Sequence, residues 1–266
     1  MFRVPKRIEN LFGRRIASAF QNLVNRIVKG NKPVEQEIRD FTLSKEMQKY
    51  IDTSVSKMIN EQRVTSGGSW AEAARRKKTA RQIVDYTKHE MKGRVGQRVA
   101  ELVQDNSTYI KSLPTKWADR ASQIAFKMSL EGKRPEAIEA ELRKQIPKEM
   151  QRNIKTIART EAAKANAAIA QARAEDCGIK CYIWRTCDDE RVRRSHQFMK
   201  GVVCFWNDPP APEGGERYHP GGTYNCRCYA EPVFDKDQLP RSMMVWNGDG
   251  MNRMSQKAFI KMMKTR

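Results

Sequence analysis

Apolar side chains recur at spacings of three and four at Ile8, Leu11, Phe12, Ile16, Phe20, Leu23, Val24, Ile27 and Val28, the period of one helix face. Arg14, Arg15, Arg26 and Lys29 fall mostly off that stripe, so residues 3–29 predict a basic amphipathic helix ended by Gly30 and Pro33. Such a helix lies on a membrane surface, docks in a partner's groove or packs on its own chain; docking on a partner is the expectation taken here. A second helical stretch covers residues 40–63. Thr65-Ser66-Gly67-Gly68-Ser69 then interrupts the pattern and predicts a hinge. A highly charged helix resumes over 70–105, and further helices fit 115–131 and 135–145, with Pro135 in the first turn. The last long helix runs over 148–175, rich in Ala and closed by Gly178.

Beyond Gly178 the period changes. Lys180 to Arg185 is short, β-branched and aromatic and predicts a strand; Gly201–Phe205 and Arg227–Val233 predict two more. Residues 190–199 fit one short helix, with Asp188 or Asp189 as its cap. The Pro- and Gly-rich stretch 207–222 is loop, and the tail from Pro240 is Met-rich and basic, with a helix at its end. The expected fold class is α+β: a mainly helical N-terminal two-thirds followed by a small mixed α/β Cys/His-rich C-terminal domain. In segments, this gives a basic amphipathic helical arm over 1–64, a helical domain over 70–176, the Cys/His-rich domain over 177–236 and a basic Met-rich tail over 237–266.

Charge adds a partner to this picture. Lys and Arg number 51 against 31 Asp and Glu, a formal net charge of +20. Residues 1–176 hold 36 of the basic and 21 of the acidic side chains, so the cations belong mainly to the helical part. Clustered cations gain free energy by releasing counterions from a phosphate backbone. The run Arg75-Arg76-Lys77-Lys78 is the candidate DNA or phosphate contact, although such a run is also an ordinary solvated face. No stretch of eighteen apolar residues exists to span a membrane. The first residues lack the compact apolar core of a secretory signal, while their Arg-rich, acid-poor composition shares features with a transit peptide.

All six cysteines and two of the three histidines lie between Cys177 and Cys228. Without an export signal, this favours reduced thiols or a metal over a disulfide framework. Cys226 and Cys228, two apart on an extended chain, point to one face and can reach one ion. His219 lies upstream across a Gly-containing loop, His196 sits on the short helix, and Cys187 precedes that helix. His196, His219, Cys226 and Cys228 together would complete a structural zinc site. The other reading makes the cysteines small buried apolar groups and needs no cofactor. A thiol nucleophile built from Cys, His and Asp188 or Asp189, or a metal-dependent nuclease, is the catalytic alternative. No nucleophile elbow or phosphate cradle supports it, so no catalytic residue is assigned. Arg185, Arg191, Arg193 and Arg194 either meet phosphate or pair with Asp188, Asp189 and Glu190.

The order of motifs carries more than any one of them. Ile157-Ala158-Arg159-Thr160-Glu161 is followed by Trp184, by Asp189-x-Arg191-Val192-Arg193-x-x-His196, by Gly201, and by His219-Pro220 with Asn225-Cys226-Arg227-Cys228. Over roughly residues 110–235 the chain resembles the phage Mu F-like family, the minor head or head-morphogenesis proteins of tailed bacteriophages. Arg159, Glu161, Asp189, Arg191, His196, His219, Cys226 and Cys228 match its motifs, and residues 177–236 become the Mu F-like domain. Six residues separate His219 from Cys226, where the family often has the histidine almost abutting the cysteines. The resemblance implies a non-enzymatic capsid protein at the portal vertex or head interior, made in the host cytoplasm and supporting head assembly, packaging or DNA delivery. Its partners would be the portal protein, the major capsid or scaffolding protein and phage DNA. A metal-dependent nuclease acting on that DNA, or a plain DNA-binding protein, stands as the alternative.

Overall fold

Helix α1 (Lys6–Lys29) follows the stripe that predicts it. It opens a computed structural model that describes residues 2–75, 77, 80–248 and 250–265. The chain divides into two compact units that cut across the segments drawn from sequence: Lys6–Met58 with Leu102–Arg159, and Met1–Pro5 with Ile59–Glu101 and Thr160–Arg266. Helices α3 (Lys45–Ala74), α5 (Arg94–Lys111) and α7 (Pro135–Asp176) supply residues to both.

The first unit is all helical. It holds α1, α2 (Val34–Arg39), α6 (Leu113–Leu130) and parts of α3, α5 and α7. Ile8, Phe12, Ile16, Phe20, Leu23 and Ile27 are buried. Phe20 meets Trp117 edge-on with ring centroids 4.9 Å apart. The stripe is thus filled by the chain itself, which corrects the expected docking of this helix on a partner; Val28, 54% exposed, stays out. The N-terminal N–H of Val34 donates to the Glu139 carboxylate at 3.1 Å, so a remote acid satisfies a helix end.

Helix α7 runs unbroken through Pro147, where the sequence predicted a boundary between two helices. Proline costs a helix interior about 3 kcal/mol. Leu142, Ile146, Met150 and Ile154, four residues apart on one face, are all buried. At about 1.5–3 kcal/mol per buried side chain, the stripe outweighs the proline.

In the second unit the predicted hinge at 65–69 is absent, because α3 continues to Ala74. Two glycines cost about 2 kcal/mol of helix propensity. What replaces that loss is Arg173 of α7, fully buried, which pairs with Glu90 at 2.8 Å and donates to Ser66 Oγ at 3.1 Å and to the Arg63 carbonyl at 3.3 Å. A Cβ at Gly67 would come within 3.4 Å of the guanidinium, so the glycine leaves room for this charge. The single helix expected over 70–105 is divided into the end of α3, α4 (Ala80–His89), a short 3₁₀ turn (Glu90–Lys92) and α5. At the break, Asp176 accepts from the Arg94 N–H at 2.9 Å and from Tyr86 Oη at 2.5 Å. A Cβ on Gly93 would lie 2.6 Å from that carboxylate. A carboxylate at a helix start is favoured by the unsatisfied N–H groups there.

The remainder of this unit is a five-stranded sheet in the order β3-β1-β2-β4-β5. The predicted strands form as β1 (Cys181–Arg185), β2 (Val203–Phe205) and β3 (Tyr229–Pro232), with β1 antiparallel to both neighbours. The helix expected at the end of the Met-rich tail forms as α9 (Gln256–Thr265), but two strands that the sequence did not predict, β4 (Ser242–Asn247) and β5 (Gly250–Ser255), precede it as a hairpin. The turn carries Gly248 at φ +65°, and the Gly-Asp pair at 248–249 was its sequence signal. Side chains alternate across the sheet. Cys181, Ile183, Val203, Phe205 and Val245 pack with Phe259 of α9, while Tyr182, Trp184, Cys204 and Ala230 pack with Trp70, Ala170 and Ala174. No helix among the described residues is long and apolar enough to cross a membrane.

Candidate functional site

The face that packs on Trp70, Ala170 and Ala174 carries the site, with Trp184, Cys226 and Cys228 in that core. Strand β1 ends at Arg185, and the loop to α8 (Arg194–Phe198) is shaped by Asp188 at φ +54°. Helix α8 is shorter than the predicted 190–199, and neither Asp188 nor Asp189 caps it; its N-cap is Arg193, with no side-chain cap bond. Asp188 instead accepts from Thr186 Oγ1 at 2.5 Å and pairs with Lys200 at 2.9 Å. Asp189 accepts both guanidinium arms of Arg227, one of them at 2.6 Å, and the Arg191 N–H at 3.1 Å. The Arg227 bonds, more than anything else, pull the Asp189 carboxyl down to about 2. This fork ties the β1–α8 loop to the Cys226-Arg227-Cys228 segment.

Helix α8 presents His196, 2% exposed, to that segment. Its Nδ1 lies 3.5 Å from Cys226 Sγ and 3.5 Å from Cys228 Sγ, and the three potential ligand atoms all fall within 4.8 Å of one another. On the far side of the ring, Nε2 meets Tyr218 Oη at 3.0 Å. The Cys228 N–H donates to Cys226 Sγ at 3.4 Å. The pair behaves as one acid: the Cys226 thiol is pulled down, first by its hydrogen bond with Cys228 and then by His196, while Cys228 is pushed up by the same shared bond. A cavity of about 70 Å³ opens on the cluster, walled by Cys187, His196, Asn225, Cys226 and Cys228 among others.

The Cys226 segment is also held from below. Asn225 takes φ +53° and its N–H donates to Thr160 Oγ1 at 3.0 Å, so the Arg-Thr-Glu signature of α7 touches the cysteine motif directly. Glu161, next to it, is buried and pairs with Lys164 at 3.5 Å. Arg159 belongs to the other unit, where it reaches Glu9 at 3.6 Å.

His219 is not brought to the cluster. Its Nδ1 meets Tyr182 Oη at 3.1 Å, its ring lies 5.2 Å from that of Trp206, and burial pushes its pKa down to about 4. Three arginines of the window meet acids: Arg185 pairs with Glu231, Arg191 lies 3.6 Å from Asp189, and Arg193 lies 3.4 Å from Glu213; Arg194 lies over the Phe198 ring at 5.8 Å. Of the basic run, Arg75 is exposed and pairs with Glu72 at 3.0 Å, and Lys77 is half-buried; Arg76 and Lys78 lie outside the described residues. Sequence reasoning passed over Tyr218, Trp184 and the Arg227–Asp189 fork as site builders. The signal for Arg227 was its place between two cysteines, which turns it to the opposite side of an extended chain.

The comparisons meet this geometry. Residues 128–231 match the sequence family described as Phage Mu protein F like protein, which bears out, over that segment, the resemblance drawn from the motifs. An uncharacterized protein of Haemophilus influenzae is 33% identical over 144 residues, covering 54% of this chain and 31% of that protein. The chain therefore spans about a third of the length of that relative. No solved structure matches the chain.

Proposed function

We propose that this chain is a minor capsid protein of a tailed bacteriophage, held at the portal vertex in few copies and acting in head assembly, DNA packaging or DNA delivery without catalysing a reaction. The observation that carries this reading is the Phage Mu protein F like match over 128–231. The matched segment contains the elements that build the site: Thr160, the Asp189–Arg227 fork, His196 and the two clustered cysteines. A structural role for the cluster is supported by its burial, with His196, Cys226 and Cys228 at 2%, 4% and 6% exposure. A cavity of about 70 Å³ is far smaller than the pockets of several hundred cubic ångströms that hold small-molecule substrates.

Contact with phage DNA is supported by the net charge of +20 and by an exposed row on α7, Lys144, Lys148, Arg152 and Lys155. Four cations on one helix face, three and four residues apart, match a phosphate backbone better than isolated surface charges do. The portal protein and the major capsid or scaffolding protein are the protein partners in this reading. Mass spectrometry and cryo-EM of purified particles test it, with a few copies per particle at the portal vertex as the expected result. Absence from particles, together with normal DNA-filled heads after deletion of the gene, overturns it.

A further inference from the structure

We propose that His196 Nδ1, Cys226 Sγ and Cys228 Sγ hold a zinc ion, with Cys187 as its fourth ligand. The proposal stands whether or not the chain is part of a phage head.

The distances come first. Zinc bonds of about 2.0–2.1 Å to imidazole nitrogen and about 2.3 Å to thiolate, set at the tetrahedral angle, separate N from S by about 3.5 Å. Both observed Nδ1–Sγ distances are 3.5 Å. Hydrogen bonding cannot account for both. Nδ1 has a single in-plane site, either one proton or one lone pair, so it can make one well-directed bond to one sulfur, and that bond does not explain the equally close approach of the other. An ion at the point where the three atoms converge satisfies them together.

The surroundings are those of a ligating histidine and thiolates. Nε2 is engaged by Tyr218 Oη at 3.0 Å and lies 3.6 Å from the Glu213 carboxylate, which leaves Nδ1 as the free lone pair, the outer partner that fixes a ligand's tautomer. Ser195 Oγ, donating at 3.2 Å, holds Glu213 in place. The Cys228 N–H directed at Cys226 Sγ, at 3.4 Å, is the kind of donor that stabilises a bound thiolate. The buried indole N–H of Trp184, in the same core as Cys226 and Cys228, has no hydrogen-bond partner.

The donor set selects the metal. Nitrogen and sulfur suit zinc, whereas magnesium and calcium take oxygen ligands, and among the described residues no carboxylate lines the cavity. Its remaining charged members are Arg191, Arg193 and Arg227. Three thiolates around a divalent ion leave one negative charge, which that basic rim favours.

Cys187 supplies the fourth side. It lines the same cavity, half-exposed, on the β1–α8 loop directly before Asp188. Its sulfur lies outside the tight group of three, so ligation draws the loop end inward. Closing the site with protein ligands makes it structural rather than catalytic, since catalytic zinc keeps an open position. The ion would then tie the β1–α8 loop to the segment just before β3, which the chain joins only through α8, β2 and the Pro- and Gly-rich stretch 207–222.

The test uses the full chain, purified without chelator. Elemental analysis should find about one zinc per chain, and less than about 0.2 overturns the site, because structural zinc survives purification. Cys226→Ser, Cys228→Ser and His196→Ala should each lose the metal, whereas His219→Ala should retain it; loss in His219→Ala overturns the ligand set. Because those variants risk misfolding, the wild-type chain gives a second reading. Cys187 is half-exposed, so iodoacetamide should modify it at least tenfold faster after chelator stripping than in the zinc-loaded protein. Equal rates overturn its assignment as the fourth ligand. Cobalt substitution should give a thiolate charge-transfer band that falls by about a third in Cys187→Ser, as one of three sulfurs is removed; an unchanged band also overturns that assignment.

Discussion

Arg173 offers the sharpest test of how the sheet-bearing unit is held together. The side chain is fully buried, as is Glu90 at 2% exposure. Replacing Arg173 by Ala removes the Glu90 pair at 2.8 Å, the bonds to Ser66 and the Arg63 carbonyl, and the contact with the Trp70 ring at 5.4 Å. Breaking one side of a buried pair costs about 3–5 kcal/mol. Glu90 keeps one partner, Arg63 Nη1 at 3.0 Å, whose side chain is 20% exposed. A hydrogen bond to a charged group contributes about 1.5–3 kcal/mol, so the expected loss falls at the lower end, about 3 kcal/mol. With a urea slope of about 2 kcal/mol/M, the midpoint moves down by about 1.5 M. Arg173→Met should cost less than Ala, since it keeps most of the volume. Arg173→Met with Glu90→Leu should recover to within about 1 kcal/mol of wild type, because removing both charges leaves none unpaired. Far-UV circular dichroism and tryptophan fluorescence are followed together, since two units need not unfold as one. A loss under about 1 kcal/mol for Arg173→Ala, or strict additivity in the double variant, would refute the buried network as the reason α3 continues through its glycines.

Gly68 is exposed, and an added Cβ there meets nothing within 4 Å. Gly68→Ala should therefore raise stability by about 1 kcal/mol if the segment is helix; a loss, measured by urea titration, sinks the continuous helix. His219 is held neutral, with its pKa pushed from 6.5 down to about 4 by burial. The contribution is complete above pH 6.5 and disappears as the pH falls through 4, at most about 3 kcal/mol. The stability difference between wild type and His219→Gln should shift by that amount between pH 7 and pH 4, and a constant difference counts against it. Thr160→Val deletes the acceptor of the Asn225 N–H. It should cost about 1–2 kcal/mol and accelerate hydrogen exchange at that amide, whereas unchanged exchange would detach the helical signature from the cysteine motif. Phe259→Ala empties a fully buried site against Phe205, 5.5 Å away, and should cost about 3–5 kcal/mol. A chain destabilised by less than about 1 kcal/mol would show that α9 does not complete the sheet's second face.

What the sequence made legible was periodic. The α1 stripe and strands β1 to β3 were readable because three-four spacing and β-branched runs are local signals. The spacing of Cys226 and Cys228 likewise placed two sulfurs on one side. The failures were tertiary. Pro147 and the Gly67-Gly68 pair look like breaks until the burial of the α7 stripe and the guanidinium of Arg173, 107 residues from Ser66, are known. The hairpin β4–β5 was hidden by its methionines, although Gly248-Asp249 in the sequence signalled its turn. His219 was grouped with the cysteines because its loop is flexible on paper. In the fold, Gly221 takes φ +94°, and a Cβ there would lie 3.1 Å from the Ala163 carbonyl and 3.3 Å from that of Cys228. The backbone is pressed onto α7 at that point, and His219 meets Tyr182 and Trp206 rather than His196.

The crowding of cysteines between 177 and 228 therefore has two physical causes, which composition alone merges. Cys181 and Cys204 sit on adjacent strands and opposite sheet faces. Burial pushes the Cys181 thiol up to about 12 and Cys204 higher still, and it lifts Cys177 to about 11. Such thiols stay protonated and act as small apolar fillers, where a β-strand has room for little more than a sulfur. Cys187, Cys226 and Cys228 line one cavity with His196, and among the described residues only Cys226 and Cys228 group with a histidine closely enough to share an ion. Replacing Cys181 or Cys204 by Ala should then disturb packing alone and leave the reactivity of Cys187 unchanged. The same substitution at Cys226 or Cys228 removes the acceptor or donor of their shared bond and leaves the other member of the pair without it. The cost there follows from an unsatisfied buried polar group rather than from lost volume.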